Sequence, residues 1–180
     1  MSKEQYIDSY RNYLVSSGQD GLEIPDDYID EFWDWFKLRA KFFQKERIYK
    51  NIVNTAIPIE TNSCFKNTYR IAKGFKKNLF YFEGFAYREM DSSFIKHAFN
   101  VSKRFKVNDF TLNKLHGKEE DEEENINEIY SIYIGVKIPL NFIQEIYRSR
   151  DYKYAQYTCL VPRFMYENNI PNYISYSELS

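Results

Sequence analysis

Apolar residues in the N-terminal part of the chain, residues 1–55, recur every three or four positions. A first stripe comprises Tyr6, Ile7, Tyr10, Tyr13 and Leu14. A second stripe, from Asp27 to about Asn54, comprises Phe32, Trp33, Phe36, Ala40, Phe43 and Ile48. This spacing places the members of each stripe on one face of a helix. We therefore expect two N-terminal helices whose apolar faces pack into a core.

A third helix is predicted after the boundary at residues 56–59, which read AIPI. Residues 60–63 include Thr, Asn and Ser, which favour the start of a helix. The helix should run from about Cys64 to Lys73, and Gly74 is a stop signal. Its inward side chains should be those of Phe65, Tyr69 and Ala72.

Beyond residue 78 the pattern changes to short aromatic and β-branched segments, which are typical of strands. Strands are predicted at 79–87, 95–101, 105–112 and 128–138. The acidic segment 116–128 should be a solvated loop, and 139–148, which opens with Pro139, a short helix. The fold class is therefore α+β, with an antiparallel sheet packed against helices and with extra helices at the N-terminus.

The composition is that of a globular chain, with 43% hydrophobic and 28% charged residues among 180. This length fits one domain. We divide the single domain 1–180 into a helical N-terminal part (1–55), a core (60–140) and a C-terminal extension (141–180). The many Tyr, Phe, Asn, Ile and Lys residues are typical of AT-rich coding and indicate a phage or bacterial source.

The net charge of −1 gives no general attraction to nucleic acid or to an anionic membrane. The basic clusters at 73–77 and 103–106 are short and flanked by apolar residues, so we interpret them as solvated ends of a helix and a strand. No apolar run approaches the roughly 18 residues that span a bilayer, and the N-terminus does not resemble a signal peptide. We expect a cytoplasmic protein with neither nucleic acid nor membrane as partner.

No metal or cofactor is expected. The Cys and His residues, at positions 64, 97, 116 and 159, lack the closely spaced pairs of structural zinc sites. They also suggest no disulfide framework, so a thiol in a reducing compartment is free to react. The six glycines form no phosphate-binding pattern.

Cys64 is the first candidate for chemistry, because its predicted place is the first turn of a helix. Free amide groups and the positive end of the helix dipole favour a thiolate at such a position. The same amides could hold the oxyanion of an acyl-transfer intermediate. The alternative is a small buried residue, since a free Cys is among the most buried residue types.

His97 and Asp109 should meet across a hairpin. If the hairpin is centred on Lys103, with a Ser-Lys-Arg loop, Val101 pairs with Phe105 and His97 lies directly opposite Asp109. Facing residues have Cβ atoms roughly 4.5–5.5 Å apart, close enough for an imidazole to contact a carboxylate. The carboxylate would fix the tautomer of a functional base. A purely structural His-Asp pair is the competing interpretation, and this geometry leaves open whether Cys64 reaches His97.

Three motifs connect these residues: SCFKN at 63–67, KHAFNV at 96–101 and VNDFT at 107–111. In this order they resemble the transglutaminase-like branch of papain-fold cysteine enzymes, where a Cys opens a helix and is followed by an H-A-W-type and a D-P-T-type strand. FEGFA at 82–86 and YIGV at 133–136 are similar to two further strands of small bacterial and phage proteins. The resemblance covers about residues 60–140; Phe99 replaces the usual Trp and Phe110 the usual Pro.

The resemblance implies a papain-like fold and a Cys64-His97-Asp109 triad that acts on a protein, peptide or small amide or acyl substrate, by hydrolysis or transfer. Asn62 and the Cys64 amide are its candidates for the oxyanion site. Glu83, in an aromatic strand, should have a buried partner, and structural support is favoured over substrate binding. Tyr133 could line the cleft, although a core position is favoured.

A different class of function stays open, since a fold does not fix a function. The same fold could keep triad-like residues and act as a protein-binding module, for example as a phage-encoded inhibitor that masks a host defence protein. Exposed aromatic residues would favour this alternative. A buried Cys64 would exclude the enzyme.

Overall fold

The computed structural model describes residues 1–17, 28–44, 57–112, 130–148 and 160–169. In chain order the elements are α1 (Lys3–Ser17), α2 (Ile29–Arg39), β1 (Lys41–Gln44), α3 (Cys64–Gly74), β2 (Leu79–Arg88), β3 (Ser93–Ser102), β4 (Val107–Asn108), β5 (Ile132–Lys137), α4 (Leu140–Arg148) and α5 (Val161–Asn169). Five antiparallel strands form one sheet in the order β1-β5-β2-β3-β4. The predicted α+β class, with an antiparallel sheet and helices, is confirmed.

The sheet is curled. Phe43 on β1 and Phe99 on β3 have ring centroids 6.0 Å apart, although β5 and β2 lie between their strands. Three strand spacings in a flat sheet would separate β1 from β3 by about 14 Å. The face that carries these two rings is therefore the concave face.

Each face of the sheet carries its own core. The concave cluster consists of Phe43, Phe82, Ala86, Phe99, Val101, Leu112, Tyr130 and Tyr133. Residues one position along the strands, such as Phe85, Ala98 and Ile134, point to the other face. There they join the larger cluster formed with helices α1 to α5. Most of the chain's aromatic residues thus serve these two cores, as their large buried area suggests.

The N-terminal stripes are confirmed in part. α1 buries Tyr6, Ile7 and Tyr10, and α2 buries Phe32, Trp33 and Phe36. The prediction that α2 continues through Phe43 is wrong. The backbone becomes extended at Ala40, and residues 41–44 pair with β5 as strand β1. Pairing with β5, which sequence periodicity does not record, overrides the helical spacing here.

The other elements follow the predictions closely, with one exception. α3, β2, β3, β5 and α4 lie within a few residues of their predicted bounds. The predicted strand at 105–112 is largely wrong, because β4 has two residues and a helical turn begins at Phe110. Residues 45–56, the acidic segment 116–128 and Cys159 lie outside the described residues. No helix among those described is both long and apolar enough to cross a membrane.

The hairpin between β3 and β4 has a different register from the predicted one. Val101 pairs with Val107, so the loop comprises Lys103, Arg104 and Phe105 rather than Ser102, Lys103 and Arg104. Phe105 adopts a positive φ of 60°, the left-handed conformation that the third residue of such a loop takes. The predicted centre was one residue too early because no Gly marks this position.

Two glycines bring β2 and β5 into close contact. Gly84 pairs with Gly135, and a Cβ atom on Gly84 would lie 2.0 Å from the Ile134 carbonyl oxygen. A Cβ atom on Gly135 would lie 2.6 Å from the Glu83 carbonyl oxygen. Both obstacles are backbone atoms, so a side chain at either position would separate the two strands.

Gly84→Ala should lower the free energy of unfolding by more than about 2 kcal/mol, because the added methyl group cannot be accommodated by side-chain movement. Urea unfolding followed by circular dichroism measures the change. Gly74→Ala is the matched control: its Cβ atom would contact only the end of the Ile57 side chain, so little destabilisation is expected. Equal stability of Gly84→Ala and wild type would contradict the close strand contact.

Candidate functional site

Cys64 is the first residue of α3, and its side chain is half-buried. The preceding Ser63 does not cap the helix, because its hydroxyl donates to the Thr61 carbonyl instead. The first intrahelical bond runs from the Asn67 amide to the Ser63 carbonyl. The amides of the first turn, which have no partner within the helix, are thus directed toward the space before Cys64.

The loop before Cys64 is fastened by the buried side chain of Asn67. Its Oδ1 accepts a bond from the Glu60 amide at 2.9 Å, and its Nδ2 donates to the Glu60 carbonyl at 2.6 Å. Nδ2 also donates to the Thr111 hydroxyl at 3.0 Å. Asn67 therefore connects the start of α3 to the segment that follows Asp109.

A second link joins α3 to β3. The Thr68 hydroxyl donates to the Ala98 carbonyl at 3.0 Å, and Asn100 Nδ2 donates to the Thr68 carbonyl at the same distance. All three residues are buried. Because Ala98 follows His97, these bonds fix the position of α3 along β3, the strand that carries the histidine.

His97 contacts Asp109, as the sequence predicts, although the register differs. Its Nε2 lies 2.7 Å from Asp109 Oδ2, and both side chains are buried. In the observed pairing Asp109 is displaced by two residues from the position opposite His97. The contact forms because β4 ends at Asn108 and the chain turns back toward β3. The two-residue β4 therefore brings Asp109 to His97, as the longer predicted strand was expected to do.

Asp109 has two further donors. The Tyr133 hydroxyl donates to its Oδ2 at 2.9 Å, and the Leu112 amide donates to its Oδ1 at 3.1 Å. A buried carboxylate needs such bonds to offset the loss of water. Burial, and then the charge of Asp109, raise the pKa of Tyr133 well above its usual value, so the hydroxyl keeps its proton and stays a donor.

The Cys64 thiol lies close enough to the His97 imidazole to interact with it electrostatically. Burial favours the neutral imidazole, but the Asp109 carboxylate and the Cys64 sulfur outweigh it and raise the pKa of His97 to about 10. Because Nε2 is engaged by Asp109, Nδ1 is the nitrogen that remains for the thiol. The three predicted triad residues therefore form one continuous chain, from a half-buried sulfur to a buried carboxylate.

Small residues on β2 make this arrangement possible. His97, Gly84 and Gly135 form one cross-strand row on the concave face, so neither β2 nor β5 contributes a side chain to this row beside His97. In the next row the small Ala86 separates Ile95 from Tyr133. The Tyr133 ring can therefore extend across β2 toward Asp109.

Glu83 points to the opposite face from His97, which separates it from the triad. Its fully buried carboxylate accepts a bond from the Tyr81 hydroxyl and bonds from the amides of Leu160 (2.5 Å) and Val161 (3.2 Å). These amides begin α5, where the helix dipole favours a negative charge. Glu83 has the expected buried partners, and its bonds favour structural support over substrate binding.

The other two predicted substrate-binding residues also have clear positions. Asn62 is exposed two residues before Cys64 and has a left-handed φ of 57°, which Asn tolerates better than most residues. Tyr133 is fully buried against Asp109 and lines no surface. Asn62 is therefore the one of the three that a substrate at Cys64 could approach directly.

Three residues that hold α3, β3 and the segment after Asp109 together were not predicted from the sequence: Asn67, Thr68 and Thr111. A signal for the first two was present, since they lie on the inward side of a helix between Phe65 and Tyr69. Polar residues at inward positions need buried hydrogen-bond partners. Nothing in the local pattern identified Thr111, because the segment was predicted as a strand.

Among the described residues, no group of three or more His, Cys, Asp or Glu side chains is arranged to hold a metal ion. Comparison of the chain with protein-family models, with curated proteins and with solved structures found no match. The transglutaminase-like resemblance therefore rests on the sequence motifs alone.

Raising the pH above neutrality should lower the free energy of unfolding through His97. Its folded pKa of about 10 exceeds the unfolded value of about 6.5. Protonation of His97 therefore stabilises the fold fully below about pH 6.5, and this contribution is lost as the pH rises through about 10. Urea unfolding at a series of pH values measures the slope.

The control for this slope is the double variant His97→Gln/Asp109→Asn, which replaces the charged pair by a neutral one. Groups that do not interact with the pair titrate equally in both proteins, so the difference between the two curves isolates the pair together with the Cys64 thiol. Parallel curves would show that the imidazolium is not stabilised in the folded protein.

Glu83→Gln should lower the free energy of unfolding by about 2 kcal/mol, because it removes a charged acceptor at the start of α5. The alkylation rate of Cys64 in the folded variant should stay at the wild-type value, since Glu83 lies on the other face of the sheet. Exposed Glu89→Gln is the control and should alter neither property. A loss of Cys64 reactivity at wild-type stability would instead assign Glu83 to the reactive site.

Proposed function

We propose that the protein is a cysteine-dependent acyl-transfer enzyme in which Cys64 is the nucleophile, His97 the base and Asp109 the residue that orients the histidine. The proposal is supported by the interaction of the Cys64 thiol with an imidazole that is itself hydrogen-bonded to the buried Asp109 carboxylate. Nucleophile, base and orienting group in this order are the arrangement that activates a thiol.

The first half of the reaction forms an acyl-enzyme. His97 holds the proton of the Cys64 thiol in a thiolate–imidazolium pair, and the Cys64 thiolate attacks the carbonyl carbon of the substrate. The carbonyl electrons move to oxygen, where the amides at the start of α3 and the Asn62 side chain would stabilise the negative charge. When the carbon–nitrogen bond breaks, the imidazolium returns its proton to the leaving amine.

The second half releases the acyl group. Water or an amine attacks the thioester carbon, and His97 takes a proton from the attacking group. The carbon–sulfur bond breaks with its electrons going to sulfur, and the thiolate–imidazolium pair forms again. Asp109 stays ionised throughout, because its three donors stabilise the carboxylate. Its role is to hold Nε2 protonated and to stabilise the imidazolium.

The substrate class follows from what is accessible. His97 is only 2% exposed, whereas Cys64 is half-buried at the start of α3. A substrate carbonyl must therefore approach from the side of Asn62 and the first turn of α3. A peptide, isopeptide or small amide that can present one carbonyl group satisfies this constraint. Hydrolysis, deamidation and transfer share the same acyl-enzyme.

Within this proposal the fold is papain-like, of the transglutaminase-like branch. Support comes from the order of the three residues: Cys64 begins a helix, His97 lies on a strand of the antiparallel sheet, and Asp109 directly follows the neighbouring strand. The glycines of the FEGFA and YIGV motifs also face each other across β2 and β5. The Tyr of YIGV donates to Asp109, so these motifs have physical roles around the triad.

The proposal predicts that Cys64 reacts rapidly with iodoacetamide at pH values where an ordinary thiol, with a pKa of about 8.5, is protonated. His97→Gln should lower the Cys64 rate by about ten-fold or more near pH 6.5, because the imidazolium no longer stabilises the thiolate. Mass spectrometry measures both cysteines, and Cys159 provides the reference, whose rate should not respond to the substitution.

Asp109→Asn is the second variant. It should also lower the alkylation rate of Cys64 near neutral pH, because the imidazolium of His97 loses the carboxylate that stabilises it. Circular dichroism establishes that each variant is folded before its rates are compared. If Cys64 reacts like an ordinary thiol in the folded wild type and neither variant changes its rate, the enzyme proposal fails. A catalytically silent protein-binding module then becomes the better description.

A further inference from the structure

The two basic segments that the sequence presents as separate lie side by side. Residues 73–78 follow α3, and residues 102–106 join β3 to β4. The Lys103 amide donates to the Asn78 carbonyl at 3.2 Å, and Leu79 pairs with Ser102. The sequence contains no Asp or Glu between residues 61 and 82 or between 92 and 108. The fold therefore combines two short clusters into one basic surface.

Two lysines of the sheet extend this surface. The Lys41 ammonium lies 5.1 Å from the centroid of the Phe105 ring, and the Lys137 ammonium lies 3.8 Å from that of Phe80. Both lysines are exposed. We call the whole surface the basic end of the sheet; its members are Lys41, Phe75, Lys76, Lys77, Lys103, Arg104, Phe105 and Lys137.

The charges of this surface are not balanced by carboxylates. Elsewhere cations pair with acidic side chains, as Arg11 does with Asp30 at 2.6 Å and Lys37 with Asp8 at 2.6 Å. Within the described part of the chain, the six cations of the basic end form no ion pair. A chain of net charge −1 thus places six cations at one end of its sheet, and no carboxylate of the described ranges forms an ion pair with them.

Aromatic rings are exposed among these cations. Phe105 is 65% exposed and Phe75 is 40% exposed. Phe105 also has a positive φ, at a loop position where Gly is favoured and a bulky residue is strained. A strained residue that keeps an exposed ring contributes little to the fold, which points to a role for the ring outside it.

We propose that the basic end of the sheet binds single-stranded nucleic acid. The six cations would contact phosphates, and the Phe75 and Phe105 rings would stack on bases, the combination by which proteins hold single strands without reading a sequence. An anionic bilayer is less well matched, because cations flank each ring and the two rings form no continuous apolar patch to insert. The low net charge of the whole chain does not oppose this local attraction.

This surface is distinct from the proposed reactive site. Its residues Phe75, Lys76 and Lys77 directly follow α3, whereas Cys64 begins that helix. Eleven residues of helix separate the two ends by about 16 Å. Nucleic-acid binding therefore stands or falls independently of the thiol chemistry.

The test uses the full chain and a fluorescein-labelled oligodeoxythymidine of about twenty nucleotides. Fluorescence anisotropy should show saturable binding that weakens as salt is raised. The double variant Lys77→Gln/Arg104→Gln should reduce the slope of log K against log salt by about 1.4, from about 0.7 per phosphate contact. Arg11→Gln/Lys37→Gln removes the same two residue types from α1 and α2 and should leave the slope unchanged.

The ring is tested by Phe105→Gly, which removes the side chain and suits the positive φ, so the variant should fold. Affinity should fall by about ten-fold, as expected for the loss of one stacked base, while the salt slope stays the same. Thermal unfolding measures whether the variant keeps its structure.

Three results would overturn the proposal. One is the absence of binding at about 100 µM protein in low salt, the weak end of non-specific affinities. Another is equal loss of binding in the α1–α2 control variant. The third is competition as strong as that of the unlabelled oligonucleotide at equal charge. Such competition by polyglutamate would assign the surface to acidic proteins. Such competition by vesicles of phosphatidylserine and phosphatidylcholine would assign it to membranes.

Discussion

The buried carboxylate of Asp109 organises the centre of this protein. A negative charge removed from water is tolerated only when several donors converge on it. Here the donors come from three parts of the chain: the imidazole of His97 on β3, the hydroxyl of Tyr133 on β5 and the amide of Leu112. Satisfying one charge therefore fixes the relative positions of two strands and the turn after β4. The thiol of Cys64 joins this network from the outside.

The curled sheet supports that network by leaving space where it is needed. Gly84 and Ala86 on the central strand place almost no volume between the side chains of the strands on either side. The rings of His97 and Tyr133 can then occupy the concave face with their centroids 6.2 Å apart. Larger residues at these positions would keep β5 from contributing to the site. The small residues on β2 are thus required for His97 and Tyr133 to reach Asp109.

Local patterns predicted most of the elements and the contact between His97 and Asp109, because helix starts and strand periodicity depend on neighbouring residues. The link from Cys64 to His97 came from the family resemblance. Local patterns failed where distant pairing decides the outcome. Phe43 follows helical spacing, yet it belongs to a strand because β5 offers it a partner. The hairpin register was wrong because its loop carries Phe105 where a Gly would have marked the turn. The role of Tyr133 depends on the curl of the sheet, which no local pattern records.

The bond between Glu83 and the start of α5 joins residues 77 positions apart in the chain. Such a contact cannot form during synthesis until Val161 has left the ribosome. Until then the carboxylate on the central strand lacks its partner amides. The core between the sheet and the helices therefore cannot be completed. Contacts of this separation also slow folding, because the entropy of closing a long loop is lost before the contact stabilises the chain. The nascent protein is therefore expected to reach its final structure late, when most of its length is already available.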